Sequence, residues 1–225
     1  MKIPMKKVIL LIFFIIQARI VISQISEDFY EGKFMNIYAL YQPYFKNVGA
    51  QIFEFETSGP KAWEKKYFGV KFRALPDFLN SKSFTSNNFP NIKNYATSWF
   101  EWFLGTTVVG KDKFNIALAA NLLNIWQLKG ENYARGFVTT GFRGKLDIQI
   151  TNFLLLSYTH SQEFSIRSTD NQNEKAHIVS NAVNLYTRKL LFIGFDYVTF
   201  RYGPLPDNSF NKGHRLELKL GVRLI

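Results

Sequence analysis

Three histidines, His160, His177 and His214, are the side chains of this sequence best suited to moving protons near neutral pH or to ligating a metal. Glu163, Asp170, Glu174 and Asp207 lie in the same stretches, so an acid/base pair or a metal site at a strand rim is conceivable. No two of these residues have a spacing that forces them together, and rims are wet and polar in most folds. We therefore expect no resident metal and no cofactor, with the three histidines as weak rim candidates. The chain has no cysteine, which removes thiol nucleophiles, thiolate metal sites and disulfides. A second polar set is better defined. Glu54, Lys71, Arg73, Glu101, Asp196, Arg215, Glu217, Lys219 and Arg223 fall on the polar side of segments that alternate apolar and polar residues, the side expected to face inward. Their chemistry is either an internal network of ion pairs and hydrogen bonds or a polar lining that selects small solutes.

The elements that carry these residues alternate with period two. In the last segment Leu216, Leu218, Leu220, Val222 and Leu224 interleave with Arg215, Glu217, Lys219, Gly221 and Arg223. Phe68, Val70, Phe72 and Ala74 oppose Tyr67, Gly69, Lys71 and Arg73. Phe114, Ile116, Leu118, Ala120, Leu122 and Trp126 oppose Asn115, Ala117, Ala119, Asn121 and Gln127, with Asn124 as the one blemish. Such alternation is the mark of a strand whose faces meet different surroundings. It also explains how 225 residues with 17% aromatic content and 47% hydrophobic content keep a mean hydropathy of only -0.09. Ten strands are expected, near 33–45, 48–57, 65–74, 95–109, 113–127, 133–143, 145–159, 175–187, 190–203 and 213–225. The turns at 110–112, at Gly144 and at 188–189 are short. Those after the third, seventh and ninth strands are long and polar, and eight or twelve strands remain open.

Residues 1–23 stand apart. Lys2, Lys6 and Lys7 precede an unbroken apolar run from Val8 to Ile16, and Ser23 offers a small residue before a cleavage point that would make Gln24 the first mature residue. This is the pattern of a secretory signal peptide, too short to span a membrane as a helix. Its removal takes Lys2, Lys6, Lys7 and Arg19 and no acid, so the net charge of +11 falls to 24 minus 17, or +7. An exported chain with that moderate excess is not expected to bind nucleic acid.

A single domain over 24–225 could be a secreted soluble barrel or a transmembrane one. Strands of about 11 to 15 residues exceed the usual five or six and suit a tilted membrane crossing. Phe114 and Trp126, both placed on the apolar face, would stand roughly 30 Å apart at a tilt of about 40°, as two aromatic girdles do. The expected fold is therefore all-β: an antiparallel up-and-down transmembrane β-barrel.

On these features the sequence resembles the small outer-membrane β-barrel proteins of Gram-negative bacteria, particularly of the Bacteroidota. The resemblance rests on the export signal ending at Gln24, on the alternating segments, and on the closing strand from Arg215 to Ile225. It implies export through the Sec pathway, residence in the cell outer membrane among its lipids and lipopolysaccharide, and delivery by the barrel-assembly machinery that reads the last strand. A larger envelope complex is a further partner it allows. His177-Ile178-Val179-Ser180-Asn181-Ala182 resembles the His and Ser-Asn-Ala signature of outer-membrane lipid A deacylases. There the His and Ser are two apart, whereas here they are three apart and a regular strand sends them to opposite faces. Outer-membrane proteases have a similar strand number, but paired rim aspartates and an Asp-x-His segment are missing from this sequence.

The expected function is that of a non-enzymatic structural or interaction barrel with a narrow, largely filled lumen. A narrow channel for small solutes is the alternative, and a rim hydrolase like the lipid A deacylases is the third reading. With Tyr202 near His214, Asp196 lies opposite about residue 220 and its carboxylate neighbours Lys219. Whether Asn181 or Ala182 faces inward beside it stays open. Phe78, Phe84 and Phe89 in the 76–94 loop suggest a plug or a contact surface.

Overall fold

Large β-branched and aromatic side chains alternating with polar ones fit a pleated surface with two unlike sides. The computed structural model describes residues 33–42, 47–57, 66–74, 95–111, 113–129, 134–151, 153–168, 173–187, 191–204 and 208–223. The expected signal peptide and the 76–94 loop lie outside them, as do Asp170 and Asp207. The fold is all-β and antiparallel up-and-down. Its strands are β1 (Lys33–Gln42), β2 (Asn47–Thr57), β3 (Lys66–Ala74), β4 (Tyr95–Lys111), β5 (Phe114–Lys129), β6 (Ala134–Thr151), β7 (Leu154–Ser168), β8 (Lys175–Thr187), β9 (Leu191–Gly203) and β10 (Asn211–Arg223). Each pairs with its sequence neighbour, and β1 pairs with β10 from Asn36 opposite Arg223 to Tyr41 opposite Leu218, so the order closes into a barrel. No helix among the described residues is long and apolar enough to cross a membrane, which says nothing of strands.

Connections 75–94, 169–174 and 204–210 leave one end of the sheet, and the tight turns around 112–113, 152–153 and 188–190 leave the other. The expected turn at Gly144 is not there. Gly144 sits inside β6 opposite His160 of β7. Arg143, Lys145 and Asp147 are all buried on one side of it, so the alternation runs through the glycine without a change of face. A glycine breaks a strand only where the backbone needs a conformation other residues refuse. A side chain at Gly144 would meet nothing closer than Leu118 at 3.7 Å. The reversal instead falls at 152–153, which makes residues 160–168 part of β7 and not of a rim loop.

Two other departures come from irregular pairing. The β5 to β6 register slips between Asn121 and Asn124, so an extra residue enters β5 and the faces exchange. Trp126 therefore points into the barrel and is almost fully buried, and it is not a girdle residue. Asn124 was the sign of this slip. Phe114, before the slip, keeps the outward parity of Leu118. In the last hairpin Tyr202 pairs with Asn211, not His214, which sets Asp196 opposite Glu217.

Where two strands come unusually close the sequence has glycine. A Cβ at Gly105 would lie 1.9 Å from the Leu118 carbonyl oxygen, and one at Gly141 would lie 2.0 Å from that of Gln162. Backbone cannot yield as a side-chain tip can, so Gly105→Ala should destabilise the fold by at least about 1–3 kcal/mol, whereas Gly144→Ala should stay within about 0.5 kcal/mol. Equilibrium unfolding followed by circular dichroism measures both, and equal effects would contradict the pairing of β4 with β5.

Candidate functional site

The interior holds the polar residues. Every acidic residue among the described ones is buried: Glu54, Glu56, Glu101, Asp147, Glu163, Glu174, Asp196 and Glu217. A carboxylate out of water must be neutralised or hydrogen-bonded where it stands, and three clusters do this for the acids of the strands, Glu174 lying just before β8.

The first spans β2 to β6. Lys71 is directly opposite both Glu54 and Glu101 in the ladder, and its Nζ lies 3.2 Å from Glu101 Oε2. Arg143 donates to the other oxygen of Glu101, and its guanidinium lies 4.2 Å from the centre of the Phe103 ring. Two residues further along β6, Lys145 donates to Glu56 and lies 3.3 Å from Asp147. Asn115 donates to the same Asp147 oxygen at 3.2 Å.

The second cluster surrounds Glu163 of β7. Asn121 and Asn124 donate to its Oε1 at 2.9 and 3.0 Å, and the Trp126 indole and the Thr139 hydroxyl donate to its Oε2 at 2.8 and 2.6 Å. The slip in β5 makes this possible, since it turns Asn124 and Trp126 inward above Asn121.

The third cluster joins β8, β9 and β10. Arg215 lies 3.1 Å from Glu217 and 3.8 Å from Asp196, and Lys219 lies 3.5 Å from Asp196. Ser180 donates to the remaining Asp196 oxygen at 3.2 Å. Arg215 also reaches the Trp126 ring at 5.7 Å, which joins this cluster to the second. Between the clusters is a polar cavity of about 40 Å³, lined among others by Lys71, Glu101, Arg143, Glu163, Asp196 and Arg215. That volume has room for a few water molecules.

The charged section is covered by apolar side chains. Leu128, Phe137, Ile178, Val198, Phe200 and Tyr202 form a buried cluster with Trp126 toward the long connections. Tyr67 and Phe103, with ring centres 4.9 Å apart, pack on Ala117 and Ala119 nearer the tight turns. A purely charged interior is thus not what the barrel has.

Of the nine residues expected inside, Glu54, Lys71, Glu101, Asp196, Arg215, Glu217 and Lys219 are there. The neighbouring of Asp196 and Lys219 holds although the register differs. Ala182, not Asn181, faces Asp196 from inside. The side chains of Arg73 and Arg223 lie outside the described residues. Glu56, Arg143, Lys145, Asp147 and Glu163 belong to the same network and were missed. Parity with Glu54 would have found Glu56, and parity across Gly144 would have found the β6 set.

The histidines do not converge. His160 lies mid-strand on the outer side, with Nδ1 3.0 Å from Asn181 Oδ1, an oxygen that also accepts from the Tyr158 hydroxyl at 2.8 Å. It is not at a rim, and Glu163 nearby points inward, so that pairing is corrected. His177, near the start of β8, stacks on Phe164 at 4.7 Å and accepts from Gln162 at 2.8 Å. His214 is exposed near the start of β10. Ser180 points inward to Asp196 while His177 points outward, so the His and Ser of the deacylase-like stretch stand on opposite sides of the sheet. Among the described residues no three His, Asp or Glu side chains are placed to hold a metal ion.

Removing one member of a buried pair leaves its partner uncompensated. Arg143→Met should therefore cost about 3–5 kcal/mol, and the double variant Arg143→Met with Glu101→Met should recover much of it. Additive losses in chemical unfolding would show that the two side chains do not interact. Trp126→Phe keeps an aromatic ring but deletes the bond to Glu163 and should cost about 1.5–3 kcal/mol; Trp126→Phe made on a Glu163→Leu background should cost clearly less. No protein-family model matches this chain, and no curated protein sequence does either.

Proposed function

We propose that this chain is an integral outer-membrane β-barrel protein of ten strands, non-enzymatic, acting as a structural or interaction barrel with a filled polar lumen. The observation that carries the reading is the inverted distribution of side chains. Phe72, Trp102, Leu118, Phe142, Ile193 and Leu220 are 45–61% exposed, each on the outer side, while ions fill the interior. A soluble barrel places these sets the other way round. On β5 the outward apolar residues run from Phe114 to Ile125. At ~3.3 Å per residue and a tilt of about 40° they cover about 28 Å, close to the ~25 Å apolar band of known barrels.

The exposed cations support the same orientation in a bilayer. Lys66 and Lys113 stand at the tight-turn end and Arg167, Lys175, Arg201 and Lys212 at the other, with the apolar surface between them. A filled interior agrees with a structural or interaction role. The ion pairs are buried, the cavity is small, and apolar side chains pack on both sides of it. The hydroxyls that meet carboxylates, Ser180 at Asp196 and Thr139 at Glu163, stand inside this filled section and away from the histidines, which fits a barrel without a catalytic centre.

Ile193 and Leu220 face each other across β9 and β10 on the outer side, each 61% exposed. In a bilayer Leu220→Arg should cost about 2–4 kcal/mol near the midplane; on a water-washed surface it should stay within about 0.5 kcal/mol. Folding titrations into lipid vesicles measure this cost. Full solubility of the folded chain without detergent would overturn the membrane assignment. In planar bilayers the barrel should be electrically silent, and a steady conductance altered by Glu101→Gln or Lys219→Gln would replace the filled-barrel reading with that of a narrow channel.

A further inference from the structure

We infer that the outer side of β6 to β9 is the contact face of a twofold dimer of this chain, centred on His160 and Asn181, an inference that rests on the membrane reading and adds a second copy as partner.

Polar groups in a hydrocarbon surface define the face. The outward residues of β7 run Leu154, Leu156, Tyr158, His160, Gln162, Phe164 and Ile166, so His160 stands midway between two apolar ends. Its ladder row leads through Gly144 to Leu118, within the outward apolar run of β5. Lipid chains at that depth offer nothing to a hydrogen-bonding group, and each unmet donor or acceptor there costs free energy. The Asn181 carbonyl oxygen is used by the Tyr158 hydroxyl at 2.8 Å and by His160 Nδ1 at 3.0 Å. This leaves the Asn181 amide hydrogens and His160 Nε2 without a hydrogen-bond partner among the described residues. With the ring proton on Nδ1, Nε2 of the neutral imidazole is an acceptor. Turning the Asn181 amide over only exchanges the roles, since the oxygen then accepts and Nε2 donates. In either state one unmet donor stands beside one unmet acceptor.

The arrangement is self-complementary. His160 pairs directly with Asn181, and the row runs Gly144, His160, Asn181, Tyr197 across β6 to β9. Half a turn about an axis along the membrane normal, passing between His160 and Asn181, sets Asn181 of each copy against His160 of the other. The complementary partial charges of N–H and ring nitrogen then meet twice, as a twofold interface requires. The same rotation sets Tyr197 of one copy opposite Gly144 of the other. A Cβ at Gly144 would touch only Leu118, at 3.7 Å, so the outer side has a notch there, and Tyr197 is a 38% exposed ring. Small residues let membrane-embedded surfaces approach closely. Nearer the tight turns Phe195 comes opposite Leu146 and Val183 opposite Tyr158. Toward the long connections Arg201 comes opposite Thr140, so like charges are kept apart. A lipid chain has no group for the two polar sites, whereas a second copy carries the matching row in reverse order.

The test uses the full chain, singly dye-labelled and reconstituted into phosphatidylcholine vesicles at graded protein-to-lipid ratios, with copies counted by single-molecule photobleaching. The wild type should pass from one copy to two as the ratio rises, and stop there. His160→Leu and Asn181→Leu should each lower the association constant roughly tenfold, because each removes two hydrogen bonds from a symmetric contact. Gly144→Phe, which fills the notch, should weaken pairing by a similar factor, and Trp102→Leu, on the outer side of β4, should change nothing. All four variants should keep the circular dichroism of the barrel. A chain that stays single at every ratio, whatever lipid or other protein it retains, would overturn the inference while leaving the barrel in the membrane. So would pairs that ignore the first three substitutions, or clusters that grow beyond two. Failure of the wild-type chain to insert into any bilayer would instead remove the membrane reading and this inference with it.

Discussion

A carboxylate inside a narrow barrel has nowhere to find solvent, and most of this molecule's interior follows from that constraint. Glu101 is satisfied by Lys71 and Arg143, Glu56 by Lys145, and Asp196 by Ser180, Arg215 and Lys219. Because the partners come from different strands, each pair also fixes the stagger of one strand against another. Lys71 can meet Glu101 only in the register in which the two stand opposite each other. Ion pairs buried in this way add little net stability compared with apolar packing, but they penalise every register that separates them.

Glu163 shows the same constraint met differently. Four neutral donors share its two oxygens, and two of them, Asn124 and Trp126, face inward only because β5 carries an extra residue. The slip that turns a tryptophan away from the outer surface is therefore what completes the hydrogen bonding of a buried acid. Trp126 then serves both neighbours, as a donor to Glu163 and as a ring beside Arg215. Local irregularity and internal polarity are one feature in this barrel, not two.

Among the described residues the acids are inside, and the exposed ions of the outer side are cations near the strand ends. The basic excess of the chain is divided between cations that neutralise the lumen, such as Arg143 and Arg215, and cations that face outward, such as Lys175 and Arg201.

Alternation made the all-β class and the sidedness of most strands legible in the sequence, because a ladder gives each side chain only two directions and the residue types announce which they take. That was enough to place Glu54, Lys71, Glu101, Asp196, Arg215, Glu217 and Lys219 inside. Parity could not locate the turn near Gly144, since a glycine in a strand looks like a glycine in a turn until its neighbours across the sheet are known. Nor could it foresee the exchange of faces at Asn121 to Asn124, which depends on pairing with β6, or the slide of β10 that puts Glu217 opposite Asp196. Residue types alone thus dictate which side of each regular strand is polar. Where strands slip, which acids meet which cations, and why Trp126 belongs to the interior follow only from the assembled barrel, because each depends on contacts between residues far apart in sequence.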